Sequence, residues 1–194
     1  MVHSGMAVRG VVLFPGAGSN KDHAALIEIE RALSPLPVLR VDFPYRKAGK
    51  KFPDKAPILV QCVRDEVRTF AQSIGCESAE LVIGGRSMGG RMSTMAIADV
   101  EDPLLVAGVV CIGYPLHPPK KPDQLRTEHL PRMHAKSLFI SGTRDEFGTP
   151  AELASAFSLI PTPPSVQLID GGRHELKGHD TGVALMIKEW LRTL

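Results

Sequence analysis

The chain has 194 residues, a length that favours a single domain over residues 1–194, because domains average roughly 150 residues. Hydrophobic residues at 43% and charged residues at 23% are typical of a globular protein and exclude disorder as the main state. The formal net charge is +2, and acids and bases are mixed along the chain, which excludes the dense basic surface that nucleic-acid binding needs.

Short apolar or β-branched runs alternate with segments of helical spacing. In Ile58–Ile74, for example, apolar positions recur at steps of three and four, which is typical of one face of a helix. In chain order the pattern predicts a strand at Val8–Phe14, a helix at Asp22–Leu33, a strand at Val38–Phe43, a helix at Ile58–Ile74, a strand at Glu80–Ile83, a helix at Met88–Asp99, strands at Gly108–Ile112 and Ser137–Ile140, a helix at Pro150–Leu159, a strand at Ser165–Ile169 and a helix at Gly182–Leu191. This order predicts an α/β fold with about six mostly parallel strands and helices on both faces of the sheet.

The residues that follow each predicted strand carry the functional information, because the ligand crevice of an open parallel sheet lies outside the carboxyl ends of its strands. Two of these connections, 44–57 and 114–134, are long, and long loops in a compact domain are usually functional or mobile. Solvated surface charge is the preferred interpretation of their basic residues, and steering of an anionic substrate is the alternative. These residues are Arg46, Lys47, Lys50, Lys51, Lys120, Lys121 and Arg126.

A G-x-S-x-G motif, Gly85-Arg86-Ser87-Met88-Gly89, lies at a predicted strand-to-helix junction. This is the pattern of a nucleophile elbow, a tight turn without room for side chains at the two glycines, which raises the serine hydroxyl above the sheet. The motif alone also arises by chance. Here a strand precedes it, a helix follows it, and an acid and a histidine come later in the chain, so we predict that Ser87 is a nucleophile.

A serine nucleophile needs a base to remove its proton, and the base needs a third group to orient it. Asp145 and His174 each follow a predicted strand and complete the chain order Ser, Asp, His. The alternatives are Glu146 or Asp170 as the acid and His179 as the base. Glu146 would point away if its neighbour points in, and an aspartate in a turn, as at Asp170, often bonds its own backbone. Since His179 is also farther from its strand, the preferred pair is Asp145 and His174.

The turn Gly16-Ala17-Gly18 after the first strand has two interpretations. Together with Asp42 at the end of the second strand it resembles the start of a dinucleotide-binding fingerprint, but Lys21 stands in place of the third glycine. The preferred interpretation is that the backbone N–H groups of Ala17 and Met88 form an oxyanion hole. A cofactor site would leave the serine, the acid and the histidine unexplained, so no cofactor is predicted.

Neither a metal site nor a disulfide is predicted. In the segment His174–His179 the two histidines are five positions apart, whereas the H-E-x-x-H zinc motif needs four. Cys62, Cys76 and Cys111 are odd in number and lack C-x-x-C spacing. We interpret them as reduced, buried thiols of a cytoplasmic protein.

No membrane partner is predicted either. The longest nearly unbroken apolar run, Leu104–Ile112, is far shorter than the roughly 18 residues that span a bilayer. Residues 1–14 lack a cationic segment followed by an apolar stretch and a small-residue cleavage site, so a secretory leader is not expected. No pattern specifies a homo-oligomer.

These motifs resemble those of the α/β-hydrolase superfamily, from about Val11 to Leu191. More narrowly, five segments are similar to a branch of small hydrolase-like proteins: Asp42–Tyr45, Gly84–Arg91, Gly113–Pro119, Arg126–Leu130 and Arg144–Gly148. That branch includes bacterial proteins often labelled dienelactone-hydrolase-like, the testis-expressed hydrolase-like proteins and a scaffold subunit of a histone-acetyltransferase complex. The resemblance implies a minimal α/β-hydrolase fold without a large cap domain. Phe14-Pro15 stands where many relatives have a histidine before the glycine, and Ser87 stands where true dienelactone hydrolases have a cysteine.

The motifs together predict a serine hydrolase that cleaves an ester or thioester of a small acyl compound through a Ser-His-Asp triad. The competing hypothesis is a binding or scaffold protein that keeps the fold with little or no activity, since a fold does not establish a function. Tyr45, Arg86, Tyr114 and His117 follow strand ends and are candidates for contact with the substrate. For Tyr114 and His117 a structural role in the loop is the alternative.

Overall fold

The computed structural model describes residues 8–194. The strands are β1 (Gly10–Phe14), β2 (Val38–Arg40), β3 (Leu81–Arg86), β4 (Gly108–Ile112), β5 (Ser137–Gly142) and β6 (Ser165–Ile169). The α-helices are α1 (Ala24–Leu33), α2 (Pro44–Lys47), α3 (Ala56–Ser73), α4 (Met88–Ile97), α5 (Pro150–Phe157) and α6 (Asp180–Leu191). Short 3₁₀ turns at Ser78–Glu80 and Leu130–Arg132 precede β3 and β5.

The six strands form one parallel sheet in the order β2-β1-β3-β4-β5-β6. The chain moves from β1 to β2 in one direction and then crosses back to β3, so the strand order reverses between β1 and β3. A reversal of this kind opens a crevice at the carboxyl ends of the two strands, where Phe14 pairs with Gly85. The predicted α/β fold is confirmed, and residues 8–194 contain no cap domain.

Helices cover both faces of the sheet and divide the hydrophobic core into two layers. In β1, Val12 and Phe14 point toward the layer that α3, α4 and α5 cover, whereas Val11 and Leu13 point toward α1 and α6. All four side chains are fully buried, and each such burial contributes roughly 1.5–3 kcal/mol. Packing on both faces therefore fixes the position of the carboxyl end of β1.

Strand β3 continues to Arg86, beyond the predicted end before the two glycines. Gly84 and Gly85 adopt φ angles of 154° and 147°, which residues with a side chain rarely adopt. A Cβ atom at Gly84 would collide with the backbone of Val110, and one at Gly85 with the backbone of Phe14. The glycines that indicate a turn in the sequence instead let β3 pass closely between β1 and β4.

Strand β2, by contrast, is shorter than the sequence predicts, and a helix forms in the loop that follows it. Strand β2 ends at Arg40 rather than at Phe43, because the chain turns inward and the Phe43 ring stacks on Phe14 at a centroid distance of 5.4 Å. Pro44–Lys47, which falls in a predicted loop, forms the short helix α2 with the proline at its first position, where a missing N–H has no consequence.

The states of the three cysteines can be compared directly with the prediction. All three thiols are free, and Cys62 and Cys111 are buried as expected. Cys76 is half-buried, so the prediction of burial is wrong for that residue. Burial raises the pKa of the Cys62 thiol to about 11, which makes it a weak nucleophile at neutral pH. Among residues 8–194, no helix has the length and apolar character to cross a membrane.

Candidate active site

Ser87 lies between β3 and α4 in a backbone conformation that residues other than glycine rarely adopt. Its φ is 47° and its ψ is −113°, a strained geometry of the kind that costs on the order of 1–3 kcal/mol and occurs at functional turns. A Cβ atom at Gly89 would collide with the backbone of Phe14, as one at Gly85 would. Both glycines of the G-x-S-x-G motif are therefore needed for the turn to pack against the end of β1.

Ser87, His174 and Asp145 form a chain of hydrogen bonds at the carboxyl edge of the sheet. The Ser87 Oγ lies 2.8 Å from the His174 Nε2, and the His174 Nδ1 lies 3.0 Å from both carboxylate oxygens of Asp145. His174 and Asp145 are buried. These contacts fit the tautomer in which the Nδ1–H donates to the carboxylate and Nε2 accepts from the serine hydroxyl.

Phe147 supports this arrangement from the loop after β5. Its backbone N–H donates a 2.9 Å hydrogen bond to the Asp145 Oδ1, and its ring lies 4.0 Å from the His174 ring, centroid to centroid. The amide fixes the rotamer of the carboxylate while the ring covers the imidazole. Both contacts limit the orientations that the histidine can adopt.

The alternative acids and base lie outside this chain of hydrogen bonds. The Asp170 carboxylate accepts a hydrogen bond from the Thr143 hydroxyl at 3.2 Å and is exposed. His179 is exposed and precedes α6. Glu146 is exposed and lines a cavity that Ser87 and His174 also line. The structure therefore brings together the three residues that the strand-end argument favoured.

Ala17 and Met88 line the same cavity as Ser87 and His174. Within residues 8–194, neither amide donates a hydrogen bond to another group. Met88 is the first residue of α4, where helical N–H groups have no internal acceptor. The Tyr45 hydroxyl donates a 2.9 Å hydrogen bond to the Ala17 carbonyl and so stabilises the turn after β1. Neither the Ala17 nor the Met88 N–H group therefore has a protein acceptor within residues 8–194.

Arg86 is buried, and its guanidinium is occupied by protein groups. Nη2 donates to the backbone carbonyl and to the carboxylate of Glu175, both at 3.0 Å, and Nη1 lies 2.7 Å from the His23 Nε2. Burial alone would raise the pKa of Glu175, but Arg86 outweighs it and holds the pKa below the usual value. Burial, and next the charge of Arg86, lowers the pKa of His23. Arg86 thereby joins β3 to the loop that carries His174.

Three predicted substrate contacts, Tyr45, Tyr114 and His117, do not line the cavity, whereas Arg86 does. Tyr45 supports the Ala17 turn from within the core. The Tyr114 ring packs edge-on against two phenylalanines of the core, and burial raises the pKa of its hydroxyl. His117 is buried and its Nδ1 lies 2.8 Å from the Pro118 carbonyl. Aromatic residues after strands pack into the core here because the loops fold back over the sheet.

A cavity of about 680 Å³ opens over Ser87 and His174. Of the seven basic residues in the two long loops, only Arg126 lines it. Arg91 also lines it, and this residue was not among the candidates predicted from the sequence. The available signal was its spacing, because Arg91 lies four residues after Ser87 and side chains four apart share one face of a helix.

Comparisons with known proteins agree with this architecture. A family model described as Alpha/beta hydrolase domain matches residues 8–185. An α/β serine hydrolase homologue from Coxiella burnetii superposes with a TM-score of 0.74 at 16% identity, covering 98% of this chain and 88% of that one. A dienelactone hydrolase from Anabaena variabilis has a TM-score of 0.70 at 22% identity, with coverages of 96% and 87%.

A third similar structure is an α/β serine hydrolase without a lid from Xanthomonas campestris. Its TM-score is 0.74 at 17% identity, and the match covers 97% of this chain and 84% of that one. At these identities the superpositions show a shared fold, whereas the family model matches the sequence itself over most of its length. The chain therefore belongs to the α/β-hydrolase family.

Proposed function

We propose that this protein is a serine hydrolase that cleaves an ester or thioester of a small acyl compound. The observation that carries the proposal is the chain of hydrogen bonds from Asp145 through His174 to the Ser87 hydroxyl, at the wall of a cavity. The cavity volume of about 680 Å³ falls in the range of small-molecule sites. Membership of the α/β-hydrolase family supports the same reaction class.

In the acylation step, Ser87 is the nucleophile and His174 transfers the proton. His174 Nε2 removes the hydroxyl proton as the Ser87 Oγ attacks the carbonyl carbon of the substrate. The negative charge that develops on the carbonyl oxygen is stabilised by the free N–H groups of Ala17 and Met88. When the intermediate collapses, the bond to the leaving oxygen or sulfur breaks and His174 returns its proton to the leaving group. An ester between Ser87 and the acyl group remains.

Deacylation repeats the sequence with water as the nucleophile. His174 accepts a proton from water, the hydroxide attacks the acyl carbon, and the bond to the Ser87 Oγ breaks as the serine recovers its proton. Asp145 stabilises the imidazolium that forms in each half-reaction without itself becoming protonated. The protein, one substrate and one water molecule thus account for every bond and proton in the cycle.

A fluorophosphonate probe followed by intact-mass measurement tests the proposal. We expect one adduct per chain, located on Ser87 by peptide mapping, because an activated serine displaces the fluoride. We also expect hydrolysis of short p-nitrophenyl esters. The Ser87→Ala variant is the matched control and should give no adduct. A folded protein that neither reacts with the probe nor cleaves these esters would favour the inactive scaffold.

Arg86 is expected to act as a positioning residue. Replacing Arg86 with Met removes the donors to the Glu175 carbonyl and carboxylate, so the loop that carries His174 loses its attachment to β3. Misplacement of a catalytic group by about 1 Å can cost on the order of 100-fold in rate. We therefore expect kcat to fall by roughly 10- to 100-fold while KM for a neutral ester changes little.

Steady-state kinetics on three variants separate positioning from substrate binding. Arg86→Lys, which retains one charged donor, should recover part of kcat. Arg173→Gln changes an exposed arginine next to His174 and should leave kcat unchanged. If Arg86→Met instead raises KM and leaves kcat intact, Arg86 contacts the substrate, as the sequence analysis predicted.

A further inference from the structure

Two arginines face the cavity without a carboxylate partner. Arg91 and Arg126 both line it, and within residues 8–194 neither forms an ion pair. The two buried arginines of residues 8–194 behave differently, since Arg64 pairs with Asp99 at 2.6 Å and Arg86 pairs with Glu175 at 3.0 Å. The two buried guanidinium groups are thus neutralised, whereas the two at the cavity wall are not.

The two guanidinium groups also lie close enough to affect each other. The pKa of Arg126 is lowered, first by burial and next by the positive charge of Arg91. The Arg91 Nε is buried and has no hydrogen-bond partner. Burying a charged donor without an acceptor is unfavourable, and two adjacent like charges increase the penalty. An anion bound in the cavity would offset the two like charges.

The other ionisable groups nearby do not supply that anion. Asp54 and Glu146 line the same cavity, but neither is within ion-pair distance of Arg91 or Arg126. His129 is buried, and its pKa is lowered to about 4 by burial and then by Arg91, so the imidazole is neutral at pH 7. Within residues 8–194, neither guanidinium therefore has a carboxylate partner in the cavity.

The placement of the pair relative to Ser87 is fixed by two short segments. The Arg91 N–H donates to the Ser87 carbonyl at 3.1 Å, so Arg91 begins the next turn of α4. Arg126 lies in the loop after β4, and its Nη1 donates to the Pro115 carbonyl at 3.1 Å. Since both side chains and Ser87 line one cavity, a single small molecule can reach the nucleophile and the arginines together.

We infer that Arg91 and Arg126 form a subsite for an anionic group, a carboxylate or a phosphate, carried by the acyl part of the substrate at a distance from the reacting carbonyl. The inference rests on the proposed function and narrows it to esters or thioesters of acids with a second, anionic end. Arginine suits this role because its planar donors match two oxygens of a carboxylate or phosphate at once.

Matched p-nitrophenyl esters test the subsite through activity. We expect kcat/KM for the hydrogen adipate ester to exceed that for the heptanoate ester, a neutral analogue of similar length, by about tenfold or more. Arg91→Gln and Arg126→Gln should each lower kcat/KM for the adipate ester by roughly 10- to 100-fold, because hydrogen bonds to charged groups contribute about 1.5–3 kcal/mol. The heptanoate ester should change less than about threefold. The 5-phosphonopentanoate ester distinguishes phosphate from carboxylate as the preferred anion.

Arg144→Gln is the control for net charge, because Arg144 is exposed near the same edge of the sheet and does not line the cavity. It should alter neither ester. Equal kcat/KM for the adipate and heptanoate esters would overturn the subsite while leaving the proposed hydrolase intact. So would equal losses on both esters in the Arg91→Gln and Arg126→Gln variants.

A binding measurement decides the subsite independently of hydrolysis. In the Ser87→Ala background, calorimetric titration should show monomethyl adipate binding at least tenfold more tightly than methyl heptanoate. A further Arg126→Gln change should abolish the difference. If the binding difference is found but no ester is ever cleaved, the proposed function fails and the anion subsite stands. If both compounds bind equally, the subsite is overturned whatever the enzyme does.

Discussion

Replacing Ser87 with Ala should lower kcat for a short p-nitrophenyl ester by about 10⁶, since residues of a triad act as a unit and removal of the nucleophile removes nearly all of their effect. The His174 Nε2 would then face a methyl group instead of the hydroxyl oxygen 2.8 Å away. Alanine has the same backbone preferences as serine at a φ of 47°, so the variant should fold. Initial rates under substrate saturation, with circular dichroism to verify folding, measure the effect.

Ser93→Ala is the matched control for this change. Ser93 lies in the same helix α4, is fully buried, and donates its hydroxyl hydrogen to the Gly89 carbonyl at 2.9 Å. Its removal should reduce stability slightly and leave kcat within about threefold. If Ser87→Ala retained more than a tenth of the activity, another group would be the nucleophile and the proposed mechanism would be wrong.

Periodicity predicted the order of the strands and helices, because near-continuous apolar runs and amphipathic segments reflect burial directly. It failed at boundaries where a tertiary contact decides. The Gly84-Gly85 pair indicates a turn in the sequence, yet only the close approach of β1 and β4 makes the extended glycines necessary. Similarly, β2 ends before Phe43 because the Phe43 ring stacks on Phe14, a residue far away along the chain.

The candidate site was predicted in part for the same reason, because local sequence gives strand ends but not the tertiary contacts of the side chains that follow them. The proximity of Ser87, Asp145 and His174 could be predicted because each follows a strand and the carboxyl ends of parallel strands meet at one edge of the sheet. Tyr45 and Tyr114 also follow strands, but a strand-end position does not say whether an aromatic side chain turns toward the cavity or the core. Arg86 forms its ion pair with Glu175, 89 positions later, and no local sequence pattern predicts an ion pair at that separation.

Asp145→Asn should lower kcat by roughly 10⁴, and the geometry around the carboxylate indicates why. The Asp145 Oδ1 accepts the Phe147 N–H at 2.9 Å, so the carbonyl oxygen of an asparagine must occupy that position. Its NH₂ group then replaces Oδ2, 3.0 Å from the His174 Nδ1, and donates to that nitrogen, while Oδ1, also 3.0 Å from Nδ1, keeps its hydrogen bond from the Phe147 amide. The proton of the neutral imidazole moves to Nε2, which can no longer accept the proton of Ser87. An otherwise intact site is thus held in the wrong tautomer.

Two variants at the alternative acid and base complete the test. Asp170→Asn alters a carboxylate that accepts from the Thr143 hydroxyl, and His179→Gln alters an exposed histidine before α6. Both should stay within about tenfold of the unmodified protein in kcat. The rate of fluorophosphonate labelling at Ser87 should fall in Asp145→Asn alone, since labelling depends on the same removal of the serine proton. A larger loss in Asp170→Asn than in Asp145→Asn would place the orienting acid on the loop after β6 rather than on the loop after β5.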